Sequence, residues 1–540
     1  MKRLEVDLSN PRYTLLHRAG LAGFWMTLYQ FEQEKFQPDN LHWQLYPHGL
    51  TLEWDGTDFN ALDRLFKQAF QIDDGMIQLR GLDPKQLPLG ERLICHEGMV
   101  NTFVQHTCAC KSASKQPKQK SFFEEEDKPE TGVTISYKDV CWYVHQDFAK
   151  SLCNKQGELI DGFINVAGWL NPGAAVRHVA FAVQTSFEEL AVDALVLAFA
   201  PVACCYFRLR SHLRHERSQY ALVIPEIKDL EDYAKYRRSS YRVQAFRDLY
   251  ATGTADAGLR FLVADQTTET LEKYHLKPSK CQVVTLGTVT WSKQQKTRTD
   301  LSIINPDPET QETYRFARQL LIDRELEGEY GFFVISSLAR ELITENLAKS
   351  RRWYAGISST INSNALFEQL SFERGGLNEM IHSVRQWSDT EKRFVIACHE
   401  ALSRIYGQVK DDVLNQAQRD KASSEFTNKL LRTRFNQKAT RIRAEINRCK
   451  NAATFRRFIT KFWSNAGQLP TLHEHWSELM ELAIGHKTWS LARDLALLAL
   501  ASYKGKGVSA DDITTEETEA EVDDSVELQA PTDEELKHGF

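Results

Sequence analysis

The sequence has no long apolar run. Its longest candidate, Ala191 to Phe207, is broken by Asp193 and Pro201. A membrane span needs about twenty clean apolar residues, so the stretch reads as buried core and no membrane partner is expected. Residues Met1 to Asp7 carry acids where an export signal needs an apolar run, so a cytoplasmic location is expected. The ten cysteines are scattered without a paired framework and read as reduced, mostly buried thiols. Catalytic signatures are missing too. There is no Walker A lysine loop and no G-x-S-x-G elbow, and His399-Glu400 lacks the second His of H-E-x-x-H. These absences remove the usual signals of NTP hydrolysis, zinc peptidase chemistry and serine hydrolysis. No catalytic residue, metal or cofactor is expected.

Two weaker patterns are weighed against this. Cys95, His96, His106, Cys108 and Cys110 are soft-ligand types within sixteen residues, but C-x-C with a distant C-H pair is not a common zinc spacing. Glu226-Ile227-Lys228 resembles the E-x-K half of a metal-dependent nuclease. That chemistry needs an upstream carboxylate on the same sheet, and only Glu216 or Asp193 offers one. A surface ion pair is the plainer reading of Glu226 and Lys228.

What the chain does have is charge out of balance. The net charge is −6, yet Arg419 to Lys461 holds thirteen Lys/Arg against three Asp/Glu. Residues 381–510 carry an excess of ten positive charges, and residues 511–540 carry twelve acids and one Lys. Lys438, Arg441 and Arg448 share one helical face opposite Ile442, Ile446 and Cys449, with Glu445 among them; Arg432, Arg434 and Arg443 lie on the same helix, and Arg456 and Arg457 on the next. A helix surface normally mixes signs, so this excess points to a phosphate track whose affinity falls steeply with salt. A solvated charged face, or a basic scaffold for an acidic protein, is the alternative. Phe455, Phe458, Phe462 and Trp463 have helical spacing and read as core.

Smaller basic clusters are Arg208, Arg210, Arg214 and Arg217; then Arg237, Arg238 and Arg242 with Tyr241; then Arg351-Arg352 before Trp353-Tyr354. Arg beside Tyr both grips phosphate and stacks on exposed bases, with structural salt bridging as the alternative.

Length and pattern give a multidomain chain: an α+β N-terminal and central region followed by an all-α C-terminal helical bundle. The expected units are 1–132, with a mobile loop at 111–132 carrying Lys115, Lys118 and Lys120; 133–375; the bundle at 376–508; and an acidic, disordered tail at 509–540. Tyr13–Phe31 has helical spacing, and Leu41–Leu45 and Leu50–Trp54 alternate as a hairpin around Pro47-His48-Gly49. Val133–Tyr137, Ala221–Ile224, Arg260–Val263, Val283–Trp291 and Phe332–Ile335 read as strands, Thr310–Leu326 and Ser337–Lys349 as helices. Ser388-Asp389-Thr390-Glu391 and Thr471-Leu472-His473-Glu474 have capping-box spacing, and Gly407 sits where a glycine would end the first of these helices.

Three runs carry a family resemblance. Thr14-Leu15-Leu16-His17-Arg18-Ala19-Gly20-Leu21-Ala22-Gly23-Phe24 resembles the opening of large subunits of type I CRISPR surveillance complexes, of the Myxococcus-type and cyanobacterial subtypes. Ala221 to Leu230, and Glu345 to Lys349 with Arg352-Trp353-Tyr354-Ala355-Gly356, look like later blocks of that family. The resemblance implies a non-enzymatic DNA- and RNA-binding subunit at the guide CRISPR RNA's 5′ end, beside the Cascade backbone and guide-end subunits. It implies recognition of the protospacer-adjacent motif, opening of target double-stranded DNA and support of the displaced single strand. The helical C-terminal region resembles the small subunit, which some relatives also translate separately. Met380 offers such a start, with Arg374-Gly375-Gly376 upstream able to encode a purine-rich ribosome-binding site. The downstream effector stays open between a helicase-nuclease and Tn7-like transposition proteins.

Overall fold

The computed structural model describes residues 2–36, 38, 40–114, 116–123, 132–166, 168–172, 187–209, 219–239, 250–263, 278–289, 292–328 and 331–505. It begins with β1 (Lys2–Asp7) and α1 (Leu15–Gln33), the latter capped by the Thr14 hydroxyl, which accepts the His17 amide. The expected hairpin forms as β2 (Leu41–Leu45) and β3 (Gly49–Trp54), and β1 adds to its open edge in antiparallel order β1-β3-β2.

α1 is buried along nearly its whole length because the apolar stretch 191–203 folds across it as two short helices. Gly20 and Gly23 make that approach possible. A Cβ at either position would overlap the carbonyl oxygen of Val196 or of Phe199. The ring of Phe199 stacks on Phe24 at 4.4 Å and on Phe66 at 5.5 Å, which joins α1 to the rest of the N-terminal core.

Where composition suggests a loop at 111–132, β4 (Lys118–Phe123) pairs antiparallel with β5 (Gly132–Tyr137). Val133, Ile135 and Tyr137 are strong strand formers, and backbone pairing to them overrides the polar composition of the first strand. Residues 124–131 lie outside the described residues, as does Lys115.

The central sheet comprises β6 (Cys205–Leu209), β7 (Gln219–Pro225), β8 (Tyr250–Ala251), β9 (Cys281–Val289) and β10 (Ser292–Ile304), in the order β8-β6-β7-β9-β10. Only β6 and β8 run parallel. Tyr220 to Ile224 on β7 are buried on both faces, as a continuous apolar run requires. Two helices flank this sheet in chain order: α2 (Leu230–Ser239) follows β7, and α3 (Thr254–Leu262) follows β8. Residues 260–262, expected to be strand, end α3 instead. Ala255, Leu259 and Leu262 share its buried face, and Arg260 pairs with Asp256 one turn earlier at 3.2 Å.

Next come α4 (Pro308–Leu320), a hairpin of Arg324–Gly328 with Gly331–Ile335, and α5 (Leu338–Ala348) capped by Ser337. α4 is shorter than expected because its pattern passes into that hairpin. Asp256, Arg260, Asp323 and Arg340 form a buried four-charge cluster joining α3 to α5. The Tyr314 hydroxyl donates to Asp256 at 2.6 Å and the Thr252 amide at 2.9 Å.

Every regular element described after Ile335 is helical: short turns at Ile357–Thr360 and Asn364–Ser371, then α6 (Arg374–Ser383), α7 (Asp389–Arg419), α8 (Ser424–Arg448), α9 (Ala452–Ala466), α10 (Pro470–Glu474), α11 (Trp476–Ile484) and α12 (Trp489–Ser502). α12 is the axis of this bundle, buried from Asp494 to Ser502. The Ser388 capping box opens α7, but Gly407 does not close it: that glycine is not left-handed and the helix runs on to Arg419. Thr471 does not cap either. Its amide and hydroxyl both go to Glu400 on α7. The boundary expected at 375/376 falls inside α6, whose Leu377, Met380 and Ile381 pack between α4 and α12.

Candidate nucleic-acid interface

α8 carries the basic stripe. Arg434, Lys438, Arg441, Glu445 and Arg448 recur at intervals of four and three residues, so they fall on one side of the helix. Arg434, Arg441 and Arg448 are exposed and Lys438 half-exposed, while Ala439, Ile442, Ile446 and Cys449 are buried opposite. The acid within the stripe is engaged from the neighbouring helix: Glu445 Oε2 stands 3.8 Å from Lys461 Nζ of α9. Arg456 and Arg457 are exposed on the first turns of α9. Arg434, Lys438, Arg441, Arg448, Arg456 and Arg457 have no ion-pair partner among the described residues, so their charge faces outward uncompensated. Phe455, Phe458, Phe462 and Trp463 are buried as the core of α9.

Arg443 does not join the stripe. It is buried, donates to the Asn362 carbonyl at 3.0 Å and to the Asn364 side chain, and burial lowers its pKa from the ordinary range. Asn447, one turn on, donates to the Ile361 carbonyl at 3.0 Å. Both residues bind α8 to the segment before α6. Arg432 is exposed on α8 just before the stripe.

The other sequence candidates separate. Arg208 on β6 lies 3.9 Å from Glu97 and over the Tyr250 ring at 5.6 Å. Burial works against its charge, but Tyr220, Tyr250 and Glu97 outweigh it and hold the guanidinium pKa above its usual range. Arg237 is a core residue, 1% exposed, donating to the Cys204 carbonyl at 3.1 Å. Arg238 is half-buried, donating to Gln30 at 2.8 Å with its guanidinium over Tyr29. α2 presents its apolar side to α1, so its last-turn arginines are drawn into packing instead of solvent. Lys118 is exposed, 3.3 Å from Asp74; Lys120 lies on β4. Arg210, Arg214, Arg217, Tyr241 and Arg242 lie outside the described residues.

Arg351 and Arg352 line an open hollow of about 470 Å³ together with Glu309, Arg385, Trp387 and Ser388. Arg352 is also ion-paired with Glu391, the acid of the α7 capping box. The Trp387 ring packs against Trp353 at 5.5 Å. Arg385 and Trp387 escape sequence reading because nothing local ties them to residues 351–352, more than thirty positions earlier.

Among the described residues, neither weaker chemical pattern assembles. His96 Nδ1 accepts the Ile77 amide at 3.0 Å and its Nε2 donates to the Lys138 carbonyl at 2.8 Å, which uses both ring nitrogens. No cluster of three or more potential metal ligands occurs among the described residues. Asp193 is held by Arg12 at 3.2 Å and lies on a helix, not on the sheet whose strand β7 precedes Glu226; Glu216 lies outside the described residues. No helix among the described residues is long and apolar enough to cross a membrane.

Residues 5–198 match the DevT N-terminal domain and residues 382–535 the DevT C-terminal domain. The second match starts eight residues into α6 and runs on into the acidic segment. The chain is also similar to the CRISPR-associated protein Cas8a1/Csx13 of Myxococcus xanthus (strain DK1622), with 28% identity over 484 residues, covering 85% of this chain and 80% of that protein.

Proposed function

The chain belongs to the Cas8-type large subunits of type I CRISPR complexes, and from that premise we propose that it works as a nucleic-acid-binding scaffold without turnover. In this reading it sits at the 5′ end of the guide RNA beside the Cascade backbone and guide-end subunits. It recognises the protospacer-adjacent motif, promotes opening of the target duplex and supports the displaced strand, while RNA–DNA pairing supplies sequence choice.

The observation that carries the proposal is the outward, uncompensated stripe of Arg434, Lys438, Arg441 and Arg448 with Arg456 and Arg457 beside it. Guanidinium and ammonium groups at intervals of about 5–6 Å along a helix suit a phosphate backbone followed without regard to base. The arginine-lined hollow at Arg351, Arg352 and Arg385 offers a second place where a strand can be gripped near the start of α7.

Binding of single-stranded DNA by the full chain at rising salt tests this. Reversal of Arg434, Lys438, Arg441 and Arg448 to Glu is expected to weaken binding and to reduce the salt slope by about 3, at about 0.7 per lost phosphate contact. Unchanged affinity and slope would remove the stripe from the interface.

We further propose that a shorter product beginning at Met380 is translated as a separate small subunit and assembles beside the full-length chain. The helical character of everything described after that point supports it.

A further inference from the structure

The basic stripe lies near the last described residues of the chain. Tyr503, just past the end of α12, packs against Tyr406 of α7 with ring centroids 5.5 Å apart, and Tyr406 packs against Phe435 of α8 at 5.3 Å. Phe435 sits between Arg434 and Lys438, the first two members of the stripe. From Lys504 only a few residues separate this point from Asp511, where twelve Asp/Glu against one Lys begin.

We propose that residues 511–540 lie along the α8–α9 stripe when no nucleic acid is bound, and that an incoming strand displaces them. The proposal rests on the reading of the stripe as a phosphate track. Carboxylates and phosphates are both oxyanions that guanidinium groups accept through charge-assisted hydrogen bonds, so one surface serves both. The charges are complementary in sign: residues 511–540 carry an excess of eleven negative charges, and the outward Arg434, Lys438, Arg441, Arg448, Arg456 and Arg457 have no ion-pair partner among the described residues.

Reach is no obstacle. Arg434 to Arg448 spans about 21 Å of helix. A thirty-residue coil has a root-mean-square span of about 30 Å, and like charges extend it further. Tethered this close, the acids act at an effective concentration in the millimolar range, about what a weak, displaceable competitor needs. Weak strands would then be refused and strands held by base pairing elsewhere in a complex would be admitted.

Carbodiimide coupling of Lys amines to carboxylates in the full chain, read by mass spectrometry, tests the contact directly. The Lys461–Glu445 pair should couple under all low-salt conditions and reports that the reagent works. Lys438 and Lys450 are expected to couple to acids of 511–540, and an oligothymidylate strand is expected to suppress those products. A full chain with the Asp and Glu of 511–540 changed to Asn and Gln is expected to bind the same strand about tenfold more tightly at low salt. Coupling of 511–540 spread evenly over distant exposed lysines such as Lys35 and Lys155 would overturn the contact. Equal affinity of the two chains for the strand would overturn the competition. If stripe coupling is seen but neither chain binds the strand, the contact stands and the phosphate-track reading is what fails.

Discussion

Asp494 on α12 accepts the main-chain amide of Ser358 at 3.1 Å across 136 residues of sequence, and its second oxygen accepts the Gly356 amide at 2.8 Å. The carboxylate thus caps the short helix Ile357–Thr360, whose preceding glycine is left-handed at φ +76°. Asn346 secures the approach from the other side by donating to the Trp353 and Ala355 carbonyls at 3.1 and 2.7 Å. The run Arg352-Trp353-Tyr354-Ala355-Gly356 is therefore a joint between the α+β region and the bundle. Its aromatics are buried, its main chain is read by Asp494, and its arginine reaches Glu391.

Removing the carboxylate should loosen that joint. Asp494→Ala leaves the buried amide and hydroxyl of Ser358 and the partly buried amide of Gly356 without their acceptor, at about 1–3 kcal/mol for each buried unsatisfied group. Thermal unfolding is expected at a lower midpoint, with limited proteolysis cutting between α5 and α6 more readily. A variant that melts and digests like the parent would mean that packing alone holds the joint.

Acid should destabilise the fold through its buried histidines. The amide of Ile77 points at His96 Nδ1, leaving no room for a proton there, and burial lowers the pKa of His96 to about 4. A folded pKa below the ordinary value of about 6.5 means that the unfolded chain takes up the proton first. The stabilising contribution is complete above about pH 6.5 and is lost as pH falls toward 4, amounting to about 3 kcal/mol over that window. His17, His145 and His399 are lowered by burial in the same direction. His96→Gln keeps one acceptor and one donor without titrating, so its melting temperature should fall less between pH 7 and pH 4.5 than that of the parent. Parallel curves would remove His96 from the acid response.

The same glycine-to-alanine change should act in opposite directions at two helical sites. At Gly23 a methyl group collides with the Phe199 carbonyl, and backbone of the neighbouring segment must shift. Gly23→Ala is expected to lower the yield of folded protein sharply. Gly407 lies mid-helix on α7 with nothing near its missing side chain. Gly407→Ala should raise stability by about 0.5–1 kcal/mol by restricting the unfolded chain and favouring helix. Denaturant midpoints of the two variants give the comparison, and a stabilised Gly23→Ala would contradict the close approach of α1 to residues 191–203.

Much of the architecture is legible in local pattern. The N-terminal hairpin, the buried stretch 191–207, the helical character of the chain after about 375 and the Ser388 cap follow from periodicity and cap chemistry, which act within a few residues. The misreadings come from partners far along the chain. Gly407 has the right identity to end a helix but no left-handed turn to occupy. Thr471 spends its hydroxyl on Glu400, seventy-one residues away. Residues 260–262 have strand-like composition, yet the Asp256–Arg260 pair and the charges of Asp323 and Arg340 hold them in a helix. The candidate interface follows the same division: the stripe was visible as a spacing, whereas Arg237 is held by the Cys204 carbonyl and Arg238 by Gln30 and Tyr29 of α1, two hundred residues earlier. Arg443 could have been set aside from sequence alone, since it adjoins Ile442 and precedes Ile446 by one turn on the apolar side.

The internal start has a structural consequence as well as a genetic one. Met380 is fully buried between α4 and α12, and a Cβ at Gly376 would overlap the Leu320 carbonyl, so both residues have packing reasons to be where they are. Met380→Leu preserves that packing while removing a start codon. A C-terminal band of the size of residues 380–540 should be present in cells making the parent and vanish with the variant, while the full-length chain accumulates unchanged. No such band in the parent would end the proposal.

Arg441 and Arg443 are two residues apart on α8 and face opposite fates. Arg441 is exposed on the stripe; Arg443 is buried with its guanidinium committed to Asn362 and Asn364. Arg441→Ala should leave the melting temperature within the range of ordinary surface changes, about 0.5 kcal/mol, while reducing the salt slope of single-strand binding by about 0.7. Arg443→Ala should do the reverse, lowering stability by about 1–3 kcal/mol through the unpaired acceptors it leaves behind, with the slope unchanged. Because both changes delete one positive charge from the same helix, net charge cannot explain a difference between them. If Arg443→Ala alone reduces the slope, the contact surface lies on the face toward residues 361–364, and the joint must open for nucleic acid to enter.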